Sequence, residues 1–160
     1  MISSSNQPSW RTVVGVIDHM TDANNLQRFI DAQAPVYEQV VAELSAGKKT
    51  SHWMWFVFPQ FDGLGRSSMA QRFAITSREQ ARAYWQHPVL GTRLRECIEL
   101  MLAIKGKTAF QILDTPDDLK FRSCLTLFAA TLPDEPVFKL ALEKYFAGSD
   151  ARTLELLRLA

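Results

Sequence analysis

Residues 51–68 read SHWMWFVFPQFDGLGRSS, and the way this stretch folds decides the fold class. Its first half sets Trp53, Trp55, Phe56 and Phe58 beside Met54 and Val57. The run is apolar on every side and has no amphipathic period, so it must be buried all round. A turn of central helix or a lone extended piece would meet that demand. Propensity favours the strand. A strand needs a partner, however, and beyond the β-prone Thr12–Ile17 no second clear strand exists to pair with. The reading adopted is a short helix capped by Ser51, which makes the chain all-α.

The flanking sequence agrees. Asp22 suits the cap of a helix over 23–33, with Leu26, Phe29 and Ile30 on one face. Pro35 suits the first position of the next helix, which ends at Gly47 and carries Val36, Tyr37, Val40, Val41 and Leu44 at the 3.6-residue period. Downstream, Thr76 with Glu79 and Thr108 with Gln111 have capping-box spacing. Pro88 opens a helix to about Lys105 with Leu90, Leu94, Cys97, Ile98 and Met101 as its stripe. Thr115 suits the cap of a helix with Pro116 at its first position, running to about Leu132, and Asp134 and Asp150 start the last two. The expectation is one domain over 22–160, of roughly eight helices, with segment 52–58 at its centre. Met1–Thr21 is expected to be a flexible extension, because its first residues are too polar to bury surface.

A chain of 160 residues, 47% hydrophobic and 22% charged, can hold a core without metal or disulfides. The longest apolar run, Trp53–Pro59, is seven residues, far short of the ~18 a membrane helix needs. With no signal-peptide pattern and two widely spaced cysteines, a cytoplasmic protein with reduced thiols is expected. No metal-ligand spacing and no cofactor motif is present, so neither is expected.

The net charge of +1 conceals an asymmetry. Between Gly47 and Arg95 stand eight basic residues against two acidic ones, a local charge of +6 against −5 for the rest. In that basic half, Pro59–Gly65 forms a loop with Gly63 and Gly65 and leads into Arg66-Ser67-Ser68 at an expected helix start. Such a loop suits an anion, or else it is a tight turn followed by an N-cap. His52 and His87 are the titratable candidates for catalysis. The alternatives are a buried histidine for His52 and a capping turn residue for His87. His19 lies in the extension. Cys97 and Cys124 fall on apolar stripes and read as core.

The blocks SHWMWFVFPQ after Lys48-Lys49, GLGRSS, and His87-Pro88-Val89-Leu90-Gly91 with Arg93-Leu94 together resemble a bacterial family of unknown function, DUF1810. The similarity covers about Asp22 to Phe146. It implies a mainly helical single domain and supplies no activity or catalytic residues.

The function expected is binding of a small anionic ligand carrying a phosphate or nucleotide group. Gly63, Gly65, Arg66 and Ser67 would supply donors, with Gln60 and Arg93 beside them and Trp53 or Trp55 as an apolar wall. The alternative is a helical interaction module without catalysis, docking an acidic protein. Nucleic acid is a lesser option, since no known motif for it occurs.

Overall fold

A computed structural model describes residues 22–160; Thr12–Ile17 and His19 lie outside them. The described residues form ten α-helices and no strand. They are α1 (Gln27–Gln33), α2 (Tyr37–Ser45), α3 (Met54–Val57), α4 (Ser68–Arg72) and α5 (Arg78–Gln86), then α6 (Leu90–Ala103), α7 (Ala109–Leu113), α8 (Asp117–Thr131), α9 (Pro136–Tyr145) and α10 (Ala151–Leu159). No helix among them is long and apolar enough to cross a membrane.

The organising element is α8. It buries Phe121, Ser123, Cys124, Leu125, Thr126, Leu127, Phe128 and Thr131, residues on all of its sides, as a central helix must. Helices α5, α7, α9 and α10 lie against it, while α6 joins α2, α5 and α9. The aromatic segment folds as the helix α3. Phe58, fully buried, meets Phe121 of α8 with ring centroids 4.7 Å apart. Phe56 meets Phe73 at 5.3 Å.

Several starts shift from their expected positions, each for a visible reason. Asp22 opens a separate 3-10 turn, Asp22–Asn24, and its carboxylate accepts from Leu26 N (2.5 Å) and Gln27 N (3.2 Å); α1 begins five residues on, with Leu26 in place of Asp22 as its N-cap. Pro35 sits in the turn where Val36 N bonds Gln33 O, and α2 begins at Tyr37. The cap of α5 is Ser77, whose hydroxyl accepts from Gln80 N at 3.0 Å, and not Thr76. Gln80 reaches back to accept from Thr76 N at 2.8 Å. Helix α8 begins at Asp117 without a Thr115 cap, and α9 begins at Pro136. The Thr108–Gln111 capping box is complete. Asp150 caps α10 by accepting from Thr153 N at 3.2 Å.

Candidate functional site

The block that opens at Lys48 is organised by a residue absent from the sequence candidates, Glu43. It belongs to α2 and is only 4% exposed. One carboxylate oxygen accepts from Thr50 N (2.8 Å), Ser51 N (3.1 Å) and Trp53 Nε1 (2.9 Å). The other accepts from Ser51 Oγ (2.5 Å) and Gln39 Nε2 (2.8 Å). Burial by itself would raise the Glu43 pKa. Hydrogen bonds from Ser51, Thr50, Gln39 and Trp53 outweigh it and hold the carboxyl well below the usual carboxylate range. The signal in the sequence was a carboxylate three residues after Val40, on the buried stripe of an amphipathic helix. Ser51 therefore serves Glu43, and α3 has no side-chain cap.

Charge fixes the neighbouring lysines. Lys48 Nζ lies 2.9 Å from Asp114, and the buried Lys49 Nζ 2.8 Å from Asp117. The Lys49 ammonium also stands 5.1 Å from the Trp53 ring centre. Trp53 is buried. Trp55 is half-buried, and Lys120 Nζ stands 5.6 Å over its ring. His52, between these anchored residues, is exposed and has no hydrogen bond or ion pair among the described residues.

The glycine loop is clipped at its base. Phe61 is buried and makes a parallel bridge with Ile75: Ile75 N donates to Gln60 O (2.9 Å) and Asp62 N to Ile75 O (2.8 Å). Gly63 takes φ +99°, which favours glycine. Gly65 does not have a positive φ. It is glycine because a Cβ there would sit 2.4 Å from the Ala70 Cβ. The Ser67 hydroxyl accepts from Ala70 N at 3.1 Å as the N-cap of α4. Arg66 is exposed; its carbonyl accepts from Gln71 Nε2 (3.1 Å), and its guanidinium has no partner among the described residues.

The His87–Arg93 segment forms the corner between α5 and α6. His87 Nδ1 accepts from Val89 N (3.1 Å) and Leu90 N (3.3 Å), closing the start of α6. At Gly91 a Cβ would lie 1.9 Å from the Trp85 carbonyl, so the two helices meet through bare backbone. Arg93 lies 4.9 Å over the Tyr37 ring and donates to Gln33 Oε1 at 3.4 Å. Gln33 in turn donates to Phe56 O (2.6 Å) and the Tyr84 hydroxyl (3.0 Å). Arg93 is thus tied into a buried polar network that locks α1, α3, α5 and α6 together. Nearby, burial pushes the Cys97 thiol up to about 12, and the Cys124 thiol is raised well above its ordinary value by burial. Both thiols stay protonated near neutral pH, which leaves no thiolate nucleophile.

The candidates fall in three places: the Glu43-anchored block, the clipped loop and the α5–α6 corner. A cavity of about 260 Å³ takes in His87 beside Trp85 and Arg95. Cavities of about 360 Å³ and 460 Å³ lie elsewhere. His52, Gln60, Ser67 and Arg93 line none of these three. No group of three or more His, Cys, Asp or Glu residues able to hold a metal ion occurs among the described residues.

Residues 23–157 match the family described as "Protein of unknown function (DUF1810)". The chain belongs to the DUF1810 family. A protein of solved structure, the conserved hypothetical protein Rv1873 from Mycobacterium tuberculosis, is 49% identical to this chain. The similarity spans 87% of this chain and all of that one, with a TM-score of 0.85. The curated proteins hold no match to it. The blocks that mark the DUF1810 resemblance are largely occupied with building this fold: Ser51 and Trp53 on Glu43, Lys48 and Lys49 on two aspartates, and the His87–Gly91 corner on α6.

Proposed function

We propose that this DUF1810 protein binds a small phosphate-bearing ligand at the surface of the glycine loop, through exposed side chains and not through the end of α4. The support lies in which polar groups of the signature remain unengaged. Ser51, Trp53, Lys48, Lys49 and Ser67 all have structural partners. The His52 and Arg66 side chains are exposed and have no partner among the described residues. Arg66 also stands on a loop held rigid at its base, in a basic stretch where Arg72, Arg78 and Arg82 are exposed and carry no ion pair among the described residues. An exposed guanidinium free to place its fork on two oxygens suits a phosphate. We assign His52, the other exposed and unengaged side chain of the signature, the role of a further donor, of a hydrogen bond or of a proton should a reaction occur.

The test compares chloride, inorganic phosphate and ADP at matched ionic strength, on the wild type, Arg66→Ala and His52→Ala. Both side chains are exposed, so neither change should move the melting temperature by itself. ADP should raise the wild-type melting temperature saturably, and Arg66→Ala should weaken the apparent affinity about tenfold or more. Equal responses in all three proteins would end this reading. The chain would then stand as a helical interaction module, its exposed arginines facing an acidic protein.

A further inference from the structure

A second site lies away from the loop. The second half of α8 presents Ala129 and Ala130 beside residues of α9 and α10, and these methyls are too short to fill the space there. The result is a cavity of about 360 Å³, walled by those alanines with Pro133, Pro136, Leu142 and Leu154. Leu154 is 44% exposed at its edge, an apolar surface left in water. A cavity of ~150 Å³ already takes a benzene ring, so this one has room for a six- to eight-carbon body. Pockets of this size and lining hold small ligands oriented by one or two polar groups.

Among the described residues, the polar groups around the cavity leave one charge without an ion-pair partner. The Thr126 hydroxyl donates to Arg122 O and accepts from Asp150 N, both at 2.8 Å. The Glu135 carboxylate is held by Arg95 Nη2 at 3.1 Å. Lys139 lines the cavity, is exposed and has no carboxylate partner among the described residues. An apolar pocket with a single uncompensated ammonium at its rim is complementary to one chemical class. We propose that this cavity binds a small monocarboxylic acid, its hydrocarbon body between α8, α9 and Leu154 and its carboxylate on Lys139. This does not depend on the phosphate reading, which concerns other residues.

Hexanoate, hexan-1-ol and hexylamine serve as probes, titrated into the isotope-labelled full-length protein while amide chemical shifts are followed. Hexanoate should shift the amides of Ala129, Ala130, Lys139 and Leu154 saturably, hexan-1-ol more weakly, and hexylamine least. Lys139→Gln should weaken hexanoate about three- to tenfold, to the level of the alcohol, and leave the alcohol unchanged. Ala130→Leu should fill the space and weaken hexanoate and the alcohol alike. No saturable hexanoate shift at these amides, or hexanoate affinity unchanged in Lys139→Gln, would overturn the proposal. Lys139 is exposed, so its variant keeps the test valid even if Ala130→Leu folds poorly.

Discussion

Glu43 shows how one side chain sets the course of a loop. Its carboxylate gathers the Thr50 and Ser51 amides, the Ser51 hydroxyl and the Trp53 indole, which turns the chain from α2 into α3. Its folded pKa lies below the unfolded one, so the ionised form stabilises the fold fully above the unfolded pKa of about 4.3 and this contribution is lost as the pH falls below that value. Urea denaturation from pH 7 to pH 3 should therefore show stability falling below about pH 4.3. Glu43→Gln should lower stability at neutral pH by about 2–3 kcal/mol and flatten that acid limb. Gly65 offers a second check. Gly65→Ala places a methyl against Ala70 and should cost about 1–3 kcal/mol. Ala70→Gly removes the opposing methyl, so the double variant should be more stable than the two single costs predict. Strict additivity would mean that the contact does not matter.

At the scale of elements, most helices were legible, because caps and periodicity are local signals. The Thr108 box came from spacing alone. The errors lie where two capping residues stand side by side. Thr76 and Ser77 both precede α5, and a spacing rule favours Thr76 with Glu79; the fold uses Ser77, because Gln80 is drawn inward to bond Asn24 O at 2.5 Å. Ser77→Ala should thus cost about 1 kcal/mol, and Glu79→Ala less than about 0.5 kcal/mol, by thermal denaturation. For α3 the deciding fact was the want of a strand partner, not its own propensity. Phe58 has no exposed surface, so Phe58→Ala should cost about 3–5 kcal/mol in urea and reduce the soluble yield.

Across the whole molecule, the charge asymmetry has two parts. Lys48, Lys49 and Arg95 of the basic half hold Asp114, Asp117 and Glu135 of the acidic half. Part of the imbalance is therefore internal complementarity between distant stretches, which linear counting cannot separate from a ligand's footprint. The candidate site was less legible than the fold for the same reason. Histidine, serine, tryptophan and glycine serve caps and crossings as well as chemistry, and only long-range contacts such as Glu43 with Trp53 show which. Lys49 is the most deeply placed of the three cations, so Asp117→Ala leaves its ammonium buried and unpaired. It should cost about 2–4 kcal/mol in urea denaturation, whereas Asp114→Ala, at an exposed pair, should cost under about 1 kcal/mol.

The clip between Phe61 and Ile75 has an engineering consequence. Two backbone bonds hold together the feet of the segment that carries the glycine loop and α4, so extra residues near its first foot leave the helices outside that segment in place. Closing a loop of twice the length costs only about 0.6 kcal/mol more. A foreign peptide spliced between the exposed Asp62 and Gly63 would leave the surface at a fixed take-off point, which makes this fold a ready display scaffold.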